Sequence, residues 1–143
     1  DDTKKTLQLP FVLNWFKCQG TNATLLKGNW SKLKNTLMEG EVPNVLKQLI
    51  IYNVSKERGC NYCSHAHGIF ADSMSAMISE DEGFKATENI DSPSMPASFR
   101  TAVKIVTNAA LNHSEVSDED FEELEKAGFS TAMGNMSFDH MLV

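Results

Sequence analysis

The spacing of apolar residues from Asn44 to Arg58, NVLKQLIIYNVSKER, limits the fold more than any other feature of this chain. Val45, Leu46, Leu49, Ile50 and Val54 recur at intervals of three and four, and Ile51 widens the stripe. Side chains three and four apart return to one side of an α-helix, so the segment reads as a largely buried helix. A strand would instead throw these residues onto opposite faces. No alternating run rich in Val, Ile or Thr stands out elsewhere, so the expected fold class is all-α, with about six helices.

The same period and its breaks place the other segments. Leu9, Val12, Leu13 and Phe16 form a stripe that predicts a helix from Leu7 to about Cys18, ended by Gln19-Gly20-Thr21-Asn22. Leu25, Leu26, Trp30, Leu33 and Leu37 predict a second helix, about Ala23 to Met38. Pro43 suits the first turn of the helix described above. Gly59 breaks it, and a fourth helix is expected from near Cys60 to about Ile78. Glu80 to Pro96 is acidic, with Ser and Pro, and reads as a loop. Phe99, Ala102, Val103, Val106 and Ala110 predict a helix from Ser98 to about Leu111. A last one starts at Ser117-Asp118-Glu119-Asp120, where a cap and first-turn acids coincide, and ends near Ala127-Gly128.

Size and charge narrow the function. A chain of 143 residues suits a single domain over 1–143, and 41% hydrophobic residues supply a core without disulfide staples. The net charge of −6 and the lack of a basic block argue against nucleic acid as a partner. Apolar runs such as Leu49-Ile50-Ile51 are too short to cross a membrane. The opening Asp1-Asp2-Thr3-Lys4-Lys5 is polar with no hydrophobic signal segment behind it, so the expected location is cytoplasmic. Three cysteines, an odd number, argue against a secreted disulfide framework. The N-x-S/T triplets at Asn22, Asn29, Asn53, Asn112 and Asn135 then read as chance matches, and Asn53 falls inside a predicted helix.

The chemistry concentrates in GCNYCSHAHG, Gly59 to Gly68. At about 100° per residue, Cys63 lies about 60° from Cys60, and His67 about 40° from Cys63. His65 points away, about 160° from Cys63. Cys60, Cys63 and His67 therefore share a face. Two cysteines at i and i+3 near a helix start can form a disulfide, and the positive end of the helix favours a thiolate. An imidazole one turn from Cys63 can take its proton. Zinc through Cys60, Cys63, His65 and His67 is a rival reading, weakened because His65 faces the wrong way to close a tetrahedron. Two structural thiols are a third reading. Cys18, alone on an apolar segment, reads as a core residue. His113 and His140 read as solvated, and Met74, Met77, Met133, Met136 and Met141 as core or interface filler. No metal or cofactor is expected.

The stretch VLKQLIIYNVSKERGCNYCSHAHGIFADSM resembles the core of the alkylhydroperoxidase D-like, carboxymuconolactone decarboxylase superfamily. Cys60, Tyr62, Cys63 and His67 match its C-x-Y-C-x-x-x-H pattern, and VSDEDFEELEKAGFS resembles its usual penultimate segment. The resemblance covers Trp30 to Ser130. It implies an alkylhydroperoxidase D-like helical domain, assembled as a homo-oligomer (dimer, trimer or hexamer). It implies a thiol-dependent peroxidase or disulfide oxidoreductase, serving antioxidant defence. Cys63 would then attack a small peroxide, His67 accept its proton and Cys60 resolve the product. The dipole of the helix, taken alone, favours Cys60 as nucleophile. Twelve residues before Cys60, where the family pattern has a carboxylate, stands Gln48, which can hydrogen-bond but not carry a proton. The implied reductant is an external dithiol, a lipoyl or thioredoxin-like protein. The alternatives are a non-enzymatic redox sensor or interaction module of the same fold, and a zinc-binding module.

Overall fold

The structure, a computed structural model, describes residues 2–112 and 116–129. Among these residues there are seven α-helices and no strand. The readings made for His113, His140, Met133, Met136, Met141 and Asn135 lie outside the described residues. The chain divides between Gly40 and Glu41 into two compact units.

The first unit holds α1 (Asp2–Leu7), α2 (Asn14–Lys17), α3 (Ala23–Leu33) and a π-helical turn (Lys34–Met38). The helix expected from Leu7 to Cys18 does not form in one piece. Gln8 takes a left-handed φ of 54°, and Pro10 has no N–H and disfavours helical geometry at Leu9. Only α2 survives from that stripe, and Phe16 is its buried residue. Phe16 packs edge-on against Trp15 at 4.9 Å and Trp30 at 5.4 Å. The Trp30 indole N–H donates to Asp2 at 2.6 Å, which ties α1 to α3. Asn22 caps α3 by accepting from the Leu25 N–H. Cys18 is exposed, not core: the segment that was to bury it is interrupted, and its thiol donates to the Trp15 carbonyl.

The second unit holds α4 (Asn44–Glu57), α5 (Asn61–Ser73), a 3₁₀ turn (Ser75–Met77), α6 (Ala97–Leu111) and α7 (Asp118–Lys126). α4 is the central element and packs against both α5 and α6, as its broad apolar stripe requires. Val45, Leu46, Leu49 and Ile50 meet Ala71 of α5, Ala102, Val103 and Val106 of α6, and Leu124 of α7 in one core. Pro43 stands one residue before α4 rather than in its first turn. α5 is shorter than expected: Cys60 is its N-cap, and it stops at Ser73 before the 3₁₀ turn. Met74 packs against the core, whereas Met77 is exposed. Asn53 lies within α4 and donates to the Leu49 carbonyl. Ser117 and Asp120 close a reciprocal capping box at the start of α7, where cap and acids coincide in sequence.

The 80–96 loop is anchored to the end of α5. Asp72 accepts from the Thr87 N–H at 3.0 Å and from its hydroxyl at 2.9 Å, and Ser75 accepts from the Ala86 N–H. Gly68 lets α4 and α5 approach closely. A Cβ there would stand 3.1 Å from the Tyr52 ring, tighter than side chains normally tolerate.

Candidate active site

The turn between α4 and α5 positions the first thiol. Gly59, at φ 70°, donates to the Lys56 carbonyl, and Cys60 N–H donates to the Ser55 carbonyl at 2.8 Å. These two bonds form a Schellman motif, which satisfies the last carbonyls of α4 and aims the chain into α5. Glycine accepts the left-handed φ without a Cβ penalty. The Arg58 guanidinium reaches the Ala110 carbonyl at 2.5 Å and fastens the same corner to the end of α6.

Cys60 and Cys63 are both free thiols, with their sulfurs 2.7 Å apart in hydrogen-bond contact. Their electrostatics differ. The Cys63 side chain, and the backbone N–H groups of Cys63 and Tyr62 behind it, hold the Cys60 thiol below its ordinary range. Burial, then the hydrogen bond and charge of Cys60, push Cys63 up to about 11. Cys60 is therefore the first of the pair to ionise, with Cys63 retaining its proton.

Gln48 and His67 meet across the α4–α5 interface. The Gln48 amide oxygen lies 2.6 Å from His67 Nδ1. With that oxygen facing the ring, Nδ1 donates and the lone pair sits on Nε2. Gln48 is buried, and burial pushes the imidazole down to about 4. At neutral pH His67 is thus an uncharged hydrogen-bond acceptor on Nε2. Its partner is Gln48 rather than either sulfur. It sits one turn beyond Cys63, whose face of α5 it shares.

All four expected site residues, Cys60, Cys63, His67 and Gln48, thus fall on the α4–α5 pair, in two contacts joined by the first turns of α5. His65 is exposed, as its angle predicts, and lines a separate cleft with Tyr52, Lys56, Asn61 and Ser64. Among the described residues no three His, Cys, Asp or Glu side chains gather as metal ligands would. Sequence reasoning did not single out Lys56, Tyr52 or Gly68. The pairing of Gly68 with the bulky Tyr52 spans two helices, and no local pattern announces it. No helix among the described residues is long and apolar enough to cross a membrane. Comparison of the chain with protein-family models and with curated proteins finds no match.

Proposed function

We propose that this chain is a thiol-dependent peroxidase of alkylhydroperoxidase D-like type, with Cys60 as the attacking thiolate and Cys63 as the proton donor and resolving thiol. The observation that carries this reading is the contact of the two free sulfurs at 2.7 Å, with one thiol favoured as the anion and the other held protonated. The Cys60 thiolate attacks the outer oxygen of R–O–OH, and the O–O bond breaks. RO⁻ takes the proton of Cys63 and leaves as ROH, while Cys60 becomes a sulfenic acid. The Cys63 thiolate attacks the Cys60 sulfur, the S–S bond forms, and the hydroxide that leaves becomes water by taking from solvent the proton that Cys60 released on ionising. The peroxide gains two electrons and the dithiol loses two. An external dithiol, of lipoyl or thioredoxin-like kind, returns the disulfide to two thiols and becomes a disulfide itself. Gln48 fixes the His67 tautomer that leaves Nε2 free to accept, one turn beyond Cys63 on the same helix. Exposed Tyr62 and Ile69 on α5 offer apolar surface for a homo-oligomer.

The test is a pair of serine variants. Cys60→Ser abolishes peroxide consumption, whereas Cys63→Ser leaves a sulfenic acid on Cys60 that dimedone traps. The reverse pattern would assign attack to Cys63, the order the family resemblance implies. Full turnover by both variants would sink the peroxidase reading. A second reading, a redox sensor that oxidises once, is favoured by Gln48, which bonds His67 where a carboxylate could relay a proton. Steady-state turnover with a dithiol separates the two, since a sensor consumes one peroxide per chain and stops.

A further inference from the structure

Cys60 and Cys63 form a pair of sulfur donors without a third ligand beside them. Their sulfurs stand 2.7 Å apart, and neither belongs to a disulfide. Among the described residues no third His, Cys, Asp or Glu joins them in a metal-binding group. His67, one turn beyond Cys63, holds its Nδ1 on Gln48. The number of donors then selects the metal. Structural zinc takes a closed tetrahedron of ligands, and calcium or magnesium takes a shell of oxygens. Copper(I) is soft, prefers thiolate sulfur, and is satisfied by two sulfurs in a line.

The surroundings of the pair favour such a complex. Each thiol gives up one proton on binding, so Cu⁺ and two thiolates leave a single negative charge on the site. That charge falls at the N-terminus of α5, a helix of 13 residues, where the helix dipole is positive. The backbone N–H groups of Cys63 and Tyr62 already point at the Cys60 sulfur. Cys60 is the N-cap, with φ −80° and ψ 85°, and so lies outside the helix proper. Its side chain can swing to seat a cation between the sulfurs while α5 stays intact. We propose that the Cys60–Cys63 pair is a two-coordinate site for copper(I), which takes the place of the proton between the two sulfurs. Copper occupancy and attack on peroxide use the same sulfurs, so each excludes the other. The inference does not rest on the peroxidase reading. Cys18, whose thiol donates to the Trp15 carbonyl in the other unit, takes no part.

The experiment titrates copper(I) into the reduced full chain without oxygen, against bicinchoninate as a coloured competitor. One ion binds per chain, and X-ray absorption at the copper edge records two sulfur neighbours. Cys60→Ser and Cys63→Ser each weaken binding by more than about a hundredfold, beyond the cost of losing an outer-shell partner. Cys18→Ser leaves binding unchanged, and circular dichroism checks that each variant keeps its helices. Equimolar dithiothreitol then separates a built site from thiol chemistry alone. The preorganised pair keeps its copper against the flexible dithiol. That arm uses the unaltered chain, so it decides the matter even where a variant loses its fold. Transfer of the copper to dithiothreitol would overturn the inference, as would a nitrogen neighbour at the metal or tight binding retained by either folded serine variant.

Discussion

At the scale of single residues, His67 and Gln48 determine how the site responds to pH. An imidazole held at about 4 in the folded protein, against an ordinary 6.5, makes folding oppose protonation. Above pH 6.5 the ring is neutral in both states and contributes nothing to pH dependence. As pH falls from 6.5 toward 4, the unfolded chain takes up the proton first, so stability is lost across that window. The loss reaches about 2 kcal/mol by pH 5. Urea unfolding at pH 7 and pH 5 measures it, and His67→Asn removes that part of the difference. Gln48→Glu acts in the opposite sense. A carboxylate 2.6 Å from Nδ1 favours the imidazolium, raises the His67 pKa, and leaves less stability to lose at pH 5. Under the proposed peroxidase reading, the same substitution raises the rate if proton transfer limits turnover. An unchanged acid-side loss in Gln48→Glu would mean that the two side chains do not interact in solution.

At the scale of elements, the α4–α5 corner links backbone geometry to the chemistry. Gly59 has open space where a Cβ would go, so Gly59→Ala meets no clash. Its cost comes from the left-handed φ of 70°, about 1 kcal/mol in urea unfolding. The same turn carries the Cys60 N–H to Ser55 carbonyl bond, so the substitution also displaces the Cys60 sulfur. Under the proposed peroxidase reading, peroxide consumption by Gly59→Ala falls by more than its stability loss explains, as single-turnover kinetics on fully folded protein would record. A variant with wild-type chemistry and only the stability loss would detach the turn from the site. The interruption of the first expected helix is the reverse case. Its apolar stripe from Leu9 to Phe16 was legible, but Pro10 outweighs the stripe because a missing N–H and a displaced Leu9 act on the backbone itself.

At the scale of the whole molecule, the second unit depends on α4. Leu46 and Leu49 are almost fully buried, at 1% and 0% exposure, and sit where α5 and α6 converge on α4. Leu49→Ala opens a cavity beneath both helices and costs about 3 kcal/mol, a large share of a small domain's stability. Urea midpoints measure it, and a loss below about 1 kcal/mol would mean that the core collapses around the site rather than holding it.

Much of this arrangement is readable in the sequence. Apolar spacing located the helices from Ala23 onward to within a few residues, and the 100° step separated His67 from His65. Those inferences are local: they need only the pitch of a helix and the chemistry of caps, which neighbouring residues carry between them. Tertiary structure decided the rest. Gln48 and His67 are 19 residues apart and meet only because α4 packs on α5. The order in which Cys60 and Cys63 ionise follows from unequal burial and from which N–H groups face each sulfur, quantities that a spacing of three does not contain. The close approach of α4 and α5 depends on Gly68 lying against the Tyr52 ring, a contact between two helices. The residues in each helix were set by sequence, but desolvation and contacts across the interface are properties of the packed pair.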